Sequence, residues 1–354
     1  MRFLATCNPG TEDVAAEEVE EEVYGGRVLE VREYGGRVIF EADGPWWLVL
    51  DQALSLRSIH SLVLLLSTGR IGLGREGLEE AWRITYESGV DEYIPYMSTF
   101  AVESQRMGEG HEYTSVDLAS VVGDAVSRAV MDRRGWRPLV RLNSPQVVVY
   151  AEAEGEEFRV GVVVGGERSM HRRRYRVYDH PAALKATLAY VMLRLSGARD
   201  GDTILDPMCG GGTMAIEAAL LFESSRIICI DRDRVHVEGA RLNAASARVG
   251  GRVEVIHGDA RRLTEILGRA SVDVVASNPP YGIRLGDPVD VRGLYMDFMP
   301  QVAGVLRSGG RAVIITAEPG YLDRAAARAG LEKRGSRRVR HGDLWVEIAV
   351  YERP

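Results

Sequence analysis

Residues 203–213 have the sequence TILDPMCGGGT, in which a short apolar run leads into a glycine-rich turn. The apolar run predicts a buried strand, and the apolar stretch Met214–Leu221 predicts a helix directly after the turn. Glycines let the backbone approach a ligand closely, and the amides at the start of a helix are free to donate hydrogen bonds. The stretch therefore predicts a strand–turn–helix unit with a ligand site at the turn.

Apolar runs and helical stretches alternate on both sides of this unit, from Asp179 onward. The runs predict strands at Thr203–Leu205, Ile227–Ile230, Val253–Ile256, Val272–Ala276 and Ala312–Thr316. This alternation predicts a parallel, doubly wound sheet, the Rossmann-like arrangement of α/β proteins. Because the β-rich stretch Leu344–Tyr351 leaves no room for another helix, we expect an antiparallel hairpin at the edge of the sheet.

The residues before this α/β domain (179–354) divide into two α+β domains and a linker. Residues 1–68 have the β-α-β-β-α-β pattern of a ferredoxin-like domain, with strands expected at Phe3–Cys7, Arg27–Glu33, Arg37–Glu41 and His60–Ser67. Residues 69–165 predict a second domain, with helices at Leu78–Tyr86 and Thr114–Arg134, a strand at Thr99–Gln105 and a hairpin of Val147–Ala153 with Phe158–Val164.

Charge is unevenly distributed along the chain, whose net charge is −7. Residues 1–100 carry 8 basic and 18 acidic residues, whereas residues 301–354 carry 10 basic and 6 acidic ones. The predicted linker, residues 166–178, holds five arginines, one histidine and two tyrosines. Since a local basic surface matters more for polyanion binding than the total charge does, the linker is the best candidate for an RNA contact.

The three cysteines are widely spaced and form no metal-binding pattern, so we expect reduced thiols, a cytoplasmic protein and no metal site. The N-terminus lacks the apolar segment of a secretory signal. The longest apolar run, Leu62–Leu66, is too short to cross a bilayer, so no membrane partner is expected.

Acidic residues follow the second and third predicted strands of the α/β domain. Asp231 is in position to accept both hydroxyls of an adenosine ribose, which NAD and S-adenosylmethionine share. Asp259 has two possible roles, contact with the adenine edge or capping of the next helix. The glycine turn lacks the Lys-Ser/Thr of a P-loop and does not match G-x-G-x-x-G, so it does not by itself decide the ligand.

The motif that discriminates is Ser277-Asn278-Pro279-Pro280-Tyr281-Gly282, after the fourth strand. Its prolines fix the backbone and remove N–H donors, which leaves carbonyl groups available as acceptors. An amide oxygen and such a carbonyl can bind the two hydrogens of a planar amino group, while the tyrosine stacks on the ring that carries it. The motif therefore indicates methylation of an amino group, and a dehydrogenase has no need of it.

Together these motifs resemble those of class I amino-methyltransferases. The segments Thr99–Arg106, His111–Ser115 and Val121–Val126 resemble a THUMP domain, an RNA-binding module. Nearly the whole chain is therefore similar to THUMP-containing tRNA guanine-N2 methyltransferases. Family members modify guanosine 6 of the acceptor stem, guanosine 10, or 23S rRNA. The guanosine-10 branch usually carries Asp-Pro-Pro-Tyr, so Asn278 favours the guanosine-6 branch or its ribosomal relatives.

The resemblance implies a role for each group of matching residues. Asn278 and Tyr281, with Pro279 and Pro280, would hold the target guanine, and no strong general base is visible. S-adenosylmethionine would be surrounded by His180, Pro181, Ala182, Ala183, Leu184, Asp206, Cys209, Gly210, Gly211, Gly212, Thr213, Asp231, Asp259, Ala260 and Asn278. The THUMP module would grip the 3′ CCA end of the tRNA. The arginines expected at RNA are Arg106, Arg168, Arg172, Arg173, Arg174 and Arg176.

Three other functions share some of these features. DNA adenine-N6 methyltransferases can carry Asn-Pro-Pro-Tyr, but they need a target-recognition domain that residues 1–165 do not resemble. Protein glutamine methyltransferases act on a similar amide, and the basic linker argues against them. An RNA-binding protein with an inactive methyltransferase domain is disfavoured by the intact motifs. We expect no obligate protein partner and a monomer.

Overall fold

The computed structural model describes residues 1–165, 170–180, 182–281 and 290–354. The chain forms two compact units. The first consists of Met1–Cys7, Ala15–Arg32 and Arg37–Met170, and the second of Asn8–Val14, Glu33–Gly36 and His171–Pro354. The predicted α+β and α/β regions both occur, and each unit contains its own sheet.

The first sheet has eight strands: β1 (Arg2–Cys7), β2 (Gly26–Arg32), β3 (Arg37–Ala42), β4 (Ile59–Arg70), β5 (Thr99–Met107), β6 (Leu139–Val140), β7 (Val147–Glu154) and β8 (Glu157–Val164). Their order is β2-β3-β1-β4-β8-β7-β5-β6. The first four are antiparallel in the ferredoxin-like order, as predicted. Strand β4 continues past residue 68 and pairs with β8, so one sheet spans both N-terminal blocks.

The early part of the chain also forms the helices α1 (Glu12–Glu22), α2 (Trp46–Ser55), α3 (Glu76–Glu87) and α4 (Ser115–Arg134). The predicted start of α4 is confirmed in atomic detail. Thr114 Oγ1 accepts a hydrogen bond from the backbone amide of Asp117, and the Asp117 carboxylate accepts one from the amide of Thr114. This reciprocal capping satisfies two amides that the first turn of a helix leaves without partners.

The second sheet has seven strands: β9 (Thr203–Asp206), β10 (Arg226–Asp231), β11 (Val253–His257), β12 (Val272–Ser277), β13 (Leu306–Thr316), β14 (Glu332–His341) and β15 (Leu344–Glu352). Their order is β11-β10-β9-β12-β13-β15-β14. The five predicted parallel strands are present. The predicted terminal hairpin is also present, with β15 inside the sheet and β14 at its edge.

Helices cover both faces of this sheet. They are α5 (Ala186–Ser196), α6 (Thr213–Leu221), α7 (Arg234–Ser246), α8 (Leu263–Leu267), α9 (Val291–Val305) and α10 (Pro319–Arg328). Successive residues of a strand point to opposite faces, so Ile204 packs with α5 and α6 while Leu205 packs with α9 and α10. Burial on both faces explains why the central strands are almost continuously apolar.

A membrane-spanning helix would need about 20 apolar residues. Across the described part of the chain, no helix combines that length with sufficient hydrophobicity.

Candidate active site

The carboxyl ends of β10, β9 and β12 lie side by side and open onto a cavity of about 580 Å³. In open α/β sheets this edge is where ligands bind, and the volume is in the range of small-molecule sites. The cavity brings together most of the predicted cofactor and target residues, namely His180, Ala182, Ala183, Leu184, Asp206, Cys209, Gly210, Gly211, Thr213, Asp231, Asp259, Ala260, Asn278, Pro279, Pro280 and Tyr281.

Among the described residues, Gly212 is a predicted cofactor residue that does not line the cavity. Gly212 lies at the start of α6, where its φ of 80° is readily accessible to glycine. A Cβ atom at this position would lie 3.1 Å from the Cβ of Ala240 in α7, so a glycine permits the close packing of the turn. Pro181 and Gly282 fall outside the described residues.

Cys209 and Cys229 form a disulfide, so the prediction that all three thiols are reduced is wrong for this pair. The glycine turn folds back beside β10, where the Cys209 amide donates to the carbonyl oxygen of Ile230 over 3.0 Å. The two cysteine Cα atoms are consequently 5.6 Å apart, a separation that a disulfide spans. Sequence spacing could not reveal this pairing, because it depends on the turn returning to the neighbouring strand. Cys7 is buried and keeps its thiol.

Asp231 lies at the end of β10 with both carboxylate oxygens oriented by backbone amides. One oxygen accepts from Gly210 over 2.8 Å and the other from Asp233 over 2.9 Å. A carboxylate oxygen accepts more than one hydrogen bond, so acceptor capacity remains for hydroxyl groups in the cavity. The position and chemistry of Asp231 fit the predicted contact with a ribose diol.

Asp206 is a buried carboxyl at the end of β9. Burial raises its pKa to about 7, and the negative charge of Asp231 acts in the same direction. The amide of Met208 and the hydroxyl of Ser277 donate to Asp206 Oδ1 over 3.4 Å and 3.3 Å, which partly offsets the effect of burial. A cation in the cavity would stabilise the ionised carboxylate, which fits the α-ammonium group of S-adenosylmethionine.

The sequence left two roles open for Asp259, and the structure shows one of them, capping. Its Oδ1 accepts from the amide of Arg261 over 2.9 Å and caps the short 3₁₀ turn Ala260–Arg262. The Arg261 guanidinium also pairs with this carboxylate and lowers the pKa of Asp259. Asp259 lines the cavity as well, so contact with the adenine edge stays a prediction.

The Asn-Pro-Pro-Tyr motif forms one wall of the cavity directly after β12. Tyr281 donates its hydroxyl hydrogen to Asn278 Oδ1 over 2.6 Å, and Asn278 Nδ2 donates to the carbonyl of Ala182 over 3.5 Å. His341, at the end of β14, places its Nδ1 3.3 Å from the same Tyr281 hydroxyl. Amide, carbonyl and aromatic groups suited to an aminated ring therefore lie together.

Two arginines of the predicted linker form hydrogen bonds within the protein, in the segment that leads to the cavity. Arg173 Nε donates to Glu217 over 3.2 Å, and this buried glutamate of α6 also accepts from the Tyr175 hydroxyl over 2.8 Å. Arg176 bonds to the carbonyl of Leu184 and to Thr213 Oγ1. Arg173 and Arg176 are thus both bonded to α6, and Arg176 also holds the carbonyl of Leu184.

The other arginines that we expect to contact RNA differ in their surroundings. Arg172 and Arg174 are exposed in the second unit, and Arg106 is exposed on β5 of the first. Arg168 lies outside the described residues. The RNA-binding role of all six arginines stays a prediction.

Lys185 is extended, with φ −63° and ψ 137°, so α5 begins at Ala186. Residues 182–184 consequently form a loop along the cavity.

A hydrogen-bonded chain of aromatic side chains supports this loop, and the sequence had assigned a role only to His180. The amide of Ala182 donates to His180 Nδ1 over 3.1 Å, so a neutral His180 carries its proton on Nε2. If both histidines are neutral, His180 Nε2 donates to His236 Nε2 over 3.1 Å, which leaves His236 Nδ1 to donate to the Tyr178 hydroxyl over 2.8 Å. Burial lowers the pKa of His180, which favours the neutral form that this chain requires.

His236 and His341 line the cavity, and sequence reasoning missed both. His236 is one of many polar residues on an amphipathic helix and carries no local signal. His341 had a weak signal, because it alternates with exposed arginines at the end of a strand.

Family models match two parts of the chain. A THUMP domain matches residues 79–163, and an RMKL-like methyltransferase domain matches residues 173–347. The tRNA (guanine(6)-N2)-methyltransferase of Archaeoglobus fulgidus is 35% identical over 99% of this chain and 92% of its own length. The enzyme of the same name from Methanocaldococcus jannaschii is 31% identical over 98% of this chain and 99% of its own length.

The fold is also similar to a solved structure over the full chain. The crystal structure of TrmN from Thermus thermophilus has a TM-score of 0.84 and 31% identity, covering 100% of this chain and 99% of that one. The family models, the full-length relatives and this structure agree with the motifs gathered around the cavity. The chain therefore belongs to the THUMP-domain tRNA (guanine-N2)-methyltransferases.

Proposed function

We propose that the protein transfers a methyl group from S-adenosylmethionine to the exocyclic N2 of a guanosine in tRNA, at position 6 of the acceptor stem. The observation that carries the proposal is the single cavity in which Asp231 and the glycine turn face Asn278 and Tyr281. Two full-length relatives that are named as guanine(6)-N2 enzymes support position 6. Asn278, in place of the aspartate usual in the guanosine-10 branch, also supports it.

S-adenosylmethionine supplies an electrophilic methyl group when it is bound. Asp231 would bind the ribose hydroxyls, and Asp206 would stabilise the positive charge at the methionine end. The loop 182–184, held by Arg176 and the His180–His236 chain, would position that end and exclude water.

On the target side, Asn278 Oδ1 and a backbone carbonyl of the motif would accept the two hydrogens of the guanine amino group. This arrangement orients the nitrogen toward the methyl donor and favours the pyramidal geometry of the transition state. Tyr281 would stack on the guanine ring. The amine becomes acidic as it is methylated, so it can lose its proton after transfer without a strong base.

We further propose that the THUMP module binds the 3′ CCA end and that the protein acts as a cytoplasmic monomer without an obligate protein partner. The division into residues 1–68, 69–165, 166–178 and 179–354 stays part of this proposal. Position 10 and 23S rRNA are the alternative targets.

The test is transfer of labelled methyl groups to unmodified tRNA, followed by mass-spectrometric mapping of the product. We expect N2-methylguanosine at position 6 and no label in a transcript whose guanosine 6 pair is replaced by an adenosine–uridine pair. Label at position 10 or in 23S rRNA would overturn the choice of nucleotide. Label in DNA or protein but not in RNA would overturn the proposed substrate class.

A further inference from the structure

The Tyr281 hydroxyl lies between an amide oxygen and a histidine nitrogen on two different elements. Asn278 Oδ1 is 2.6 Å away, and His341 Nδ1 is 3.3 Å away. A phenolic hydroxyl has one hydrogen to donate, so when His341 carries its proton on Nε2 the hydroxyl can donate to Asn278 Oδ1 or to His341 Nδ1, but not strongly to both. In the structure the shorter bond goes to Asn278.

This bond competes with the role proposed for Asn278. Its amide oxygen has two lone pairs, and the Tyr281 hydroxyl occupies one of them. As the target amine is methylated it gains positive charge, and the acceptors that face it stabilise that charge most when they are not shared. Donation by Tyr281 therefore makes Asn278 Oδ1 a weaker acceptor for the target amine at the step where the amine gains positive charge.

His341 is placed to receive the hydrogen instead. It is 5% exposed, ends β14 and lines the cavity. Because β14 and β13 are each antiparallel to β15, β14 runs in the same direction as the central strands, and its last residue reaches the cavity edge. In the neutral tautomer that carries its proton on Nε2, Nδ1 is an acceptor, and it already lies 3.3 Å from the Tyr281 hydroxyl.

We propose that His341 is a positioning residue that takes the Tyr281 hydrogen bond when guanine enters, and so frees Asn278 Oδ1 for the target amine. This inference rests on the proposed function of Asn278. The alternative is that His341 only anchors the Asn-Pro-Pro-Tyr segment to the terminal hairpin. The two roles differ in whether His341 matters once the Tyr281 hydroxyl is absent.

The experiment measures single-turnover methyl transfer to tRNA in a double-mutant cycle of His341→Leu and Tyr281→Phe. His341→Leu should lower the transfer rate about tenfold, the value of one hydrogen bond, and leave S-adenosylmethionine affinity unchanged. In the Tyr281→Phe background, His341→Leu should have no further effect on the transfer rate, because the hydroxyl whose hydrogen bond His341 would accept is absent. Equal losses in the two backgrounds would overturn the proposal.

Two polar variants distinguish the loss of the hydrogen bond from a change in side-chain packing. In His341→Asn the side-chain oxygen can occupy nearly the position of Nδ1, whereas in His341→Gln the polar atoms lie nearer that of Nε2. We expect Asn to retain most of the transfer rate and Gln to lose it, at similar melting temperatures. Equal rates for Asn and Gln would overturn the proposal. Absence of transfer by the wild-type protein would instead reject the function on which it rests.

Discussion

At the scale of single residues, we expect Asp206 to make cofactor binding dependent on pH. Its pKa is raised to about 7, so the empty site holds a neutral carboxyl below that pH and a carboxylate above it. S-adenosylmethionine brings a positively charged ammonium group, which in the proposed binding mode the Asp206 carboxylate would stabilise. Its affinity should therefore rise as the pH rises through 7, by up to about tenfold per pH unit on the acid side.

Calorimetric titration of S-adenosylmethionine between about pH 6 and 8.5 measures this effect. Asp206→Asn, which removes the titrating group, should flatten the dependence. A slope unchanged by that substitution would assign the titration to another group. The same pKa predicts that the protein without cofactor loses stability as the pH rises from about 4 to 7, because the unfolded carboxyl ionises first.

Asn278 is the residue on which the proposed chemistry depends. Asn278→Ala removes the acceptor for the target amine and should lower kcat about a hundredfold or more, while S-adenosylmethionine affinity changes little. Asn278→Asp, which keeps an acceptor oxygen, should retain more activity than the alanine variant. Near-normal turnover of Asn278→Ala would show that another group holds the amine.

Some residues of the site could be predicted from the sequence, and others could not. Asp231 and Asn278 follow strands that the apolar runs indicated clearly, so their meeting at one edge of a parallel sheet was predictable. His341 reaches the same cavity through the position of β14 in the sheet, which no local pattern specifies. The Cys209–Cys229 pairing likewise depends on a turn packing beside a neighbouring strand.

At the scale of elements, the basic segment 171–178 has two kinds of arginine. Arg172 and Arg174 are exposed, whereas Arg173 and Arg176 bond to α6 and the cavity loop. We expect Arg172→Gln with Arg174→Gln to weaken tRNA binding and to reduce its salt dependence by about one counterion for each phosphate that is no longer neutralised. Filter binding over a range of salt concentrations measures both quantities.

The matched control is Arg173→Gln with Arg176→Gln, which removes the same charge from the same segment. This pair should lower the melting temperature and S-adenosylmethionine affinity, because it releases Glu217 and the loop at Leu184. If both pairs reduced tRNA binding equally and left stability unchanged, the division between exposed and structural arginines would be wrong.

The turn between β9 and α6 is tied to β10 by the Cys209–Cys229 disulfide. The loop that it closes spans a sequence separation of 20 residues, for which chain entropy predicts about 3 kcal/mol of stabilisation. Reduction should therefore lower the melting temperature by several degrees, as calorimetry with and without reductant would measure. Cys7→Ser should keep this response to reductant, and Cys229→Ser should abolish it.

At the scale of the whole molecule, the first unit should select the substrate and the second should carry out the chemistry. The proposed cavity lies entirely on the second unit, whereas the THUMP match covers residues 79–163 of the first. Removing the CCA end from a tRNA transcript deletes unpaired nucleotides and leaves guanosine 6 and its stem intact. If the first unit binds that end, the truncation removes binding energy without altering the reacting group.

We therefore expect a transcript without CCA to raise KM about tenfold or more, the scale of losing stacked single-stranded bases, while kcat at saturation changes little. Steady-state kinetics on matched transcripts, with and without the three nucleotides, measures both parameters. A transcript that keeps CCA but carries an adenosine–uridine pair at position 6 should bind normally and accept no methyl group. A loss of kcat alone on truncation would mean that the CCA end acts on the chemical step rather than on substrate capture.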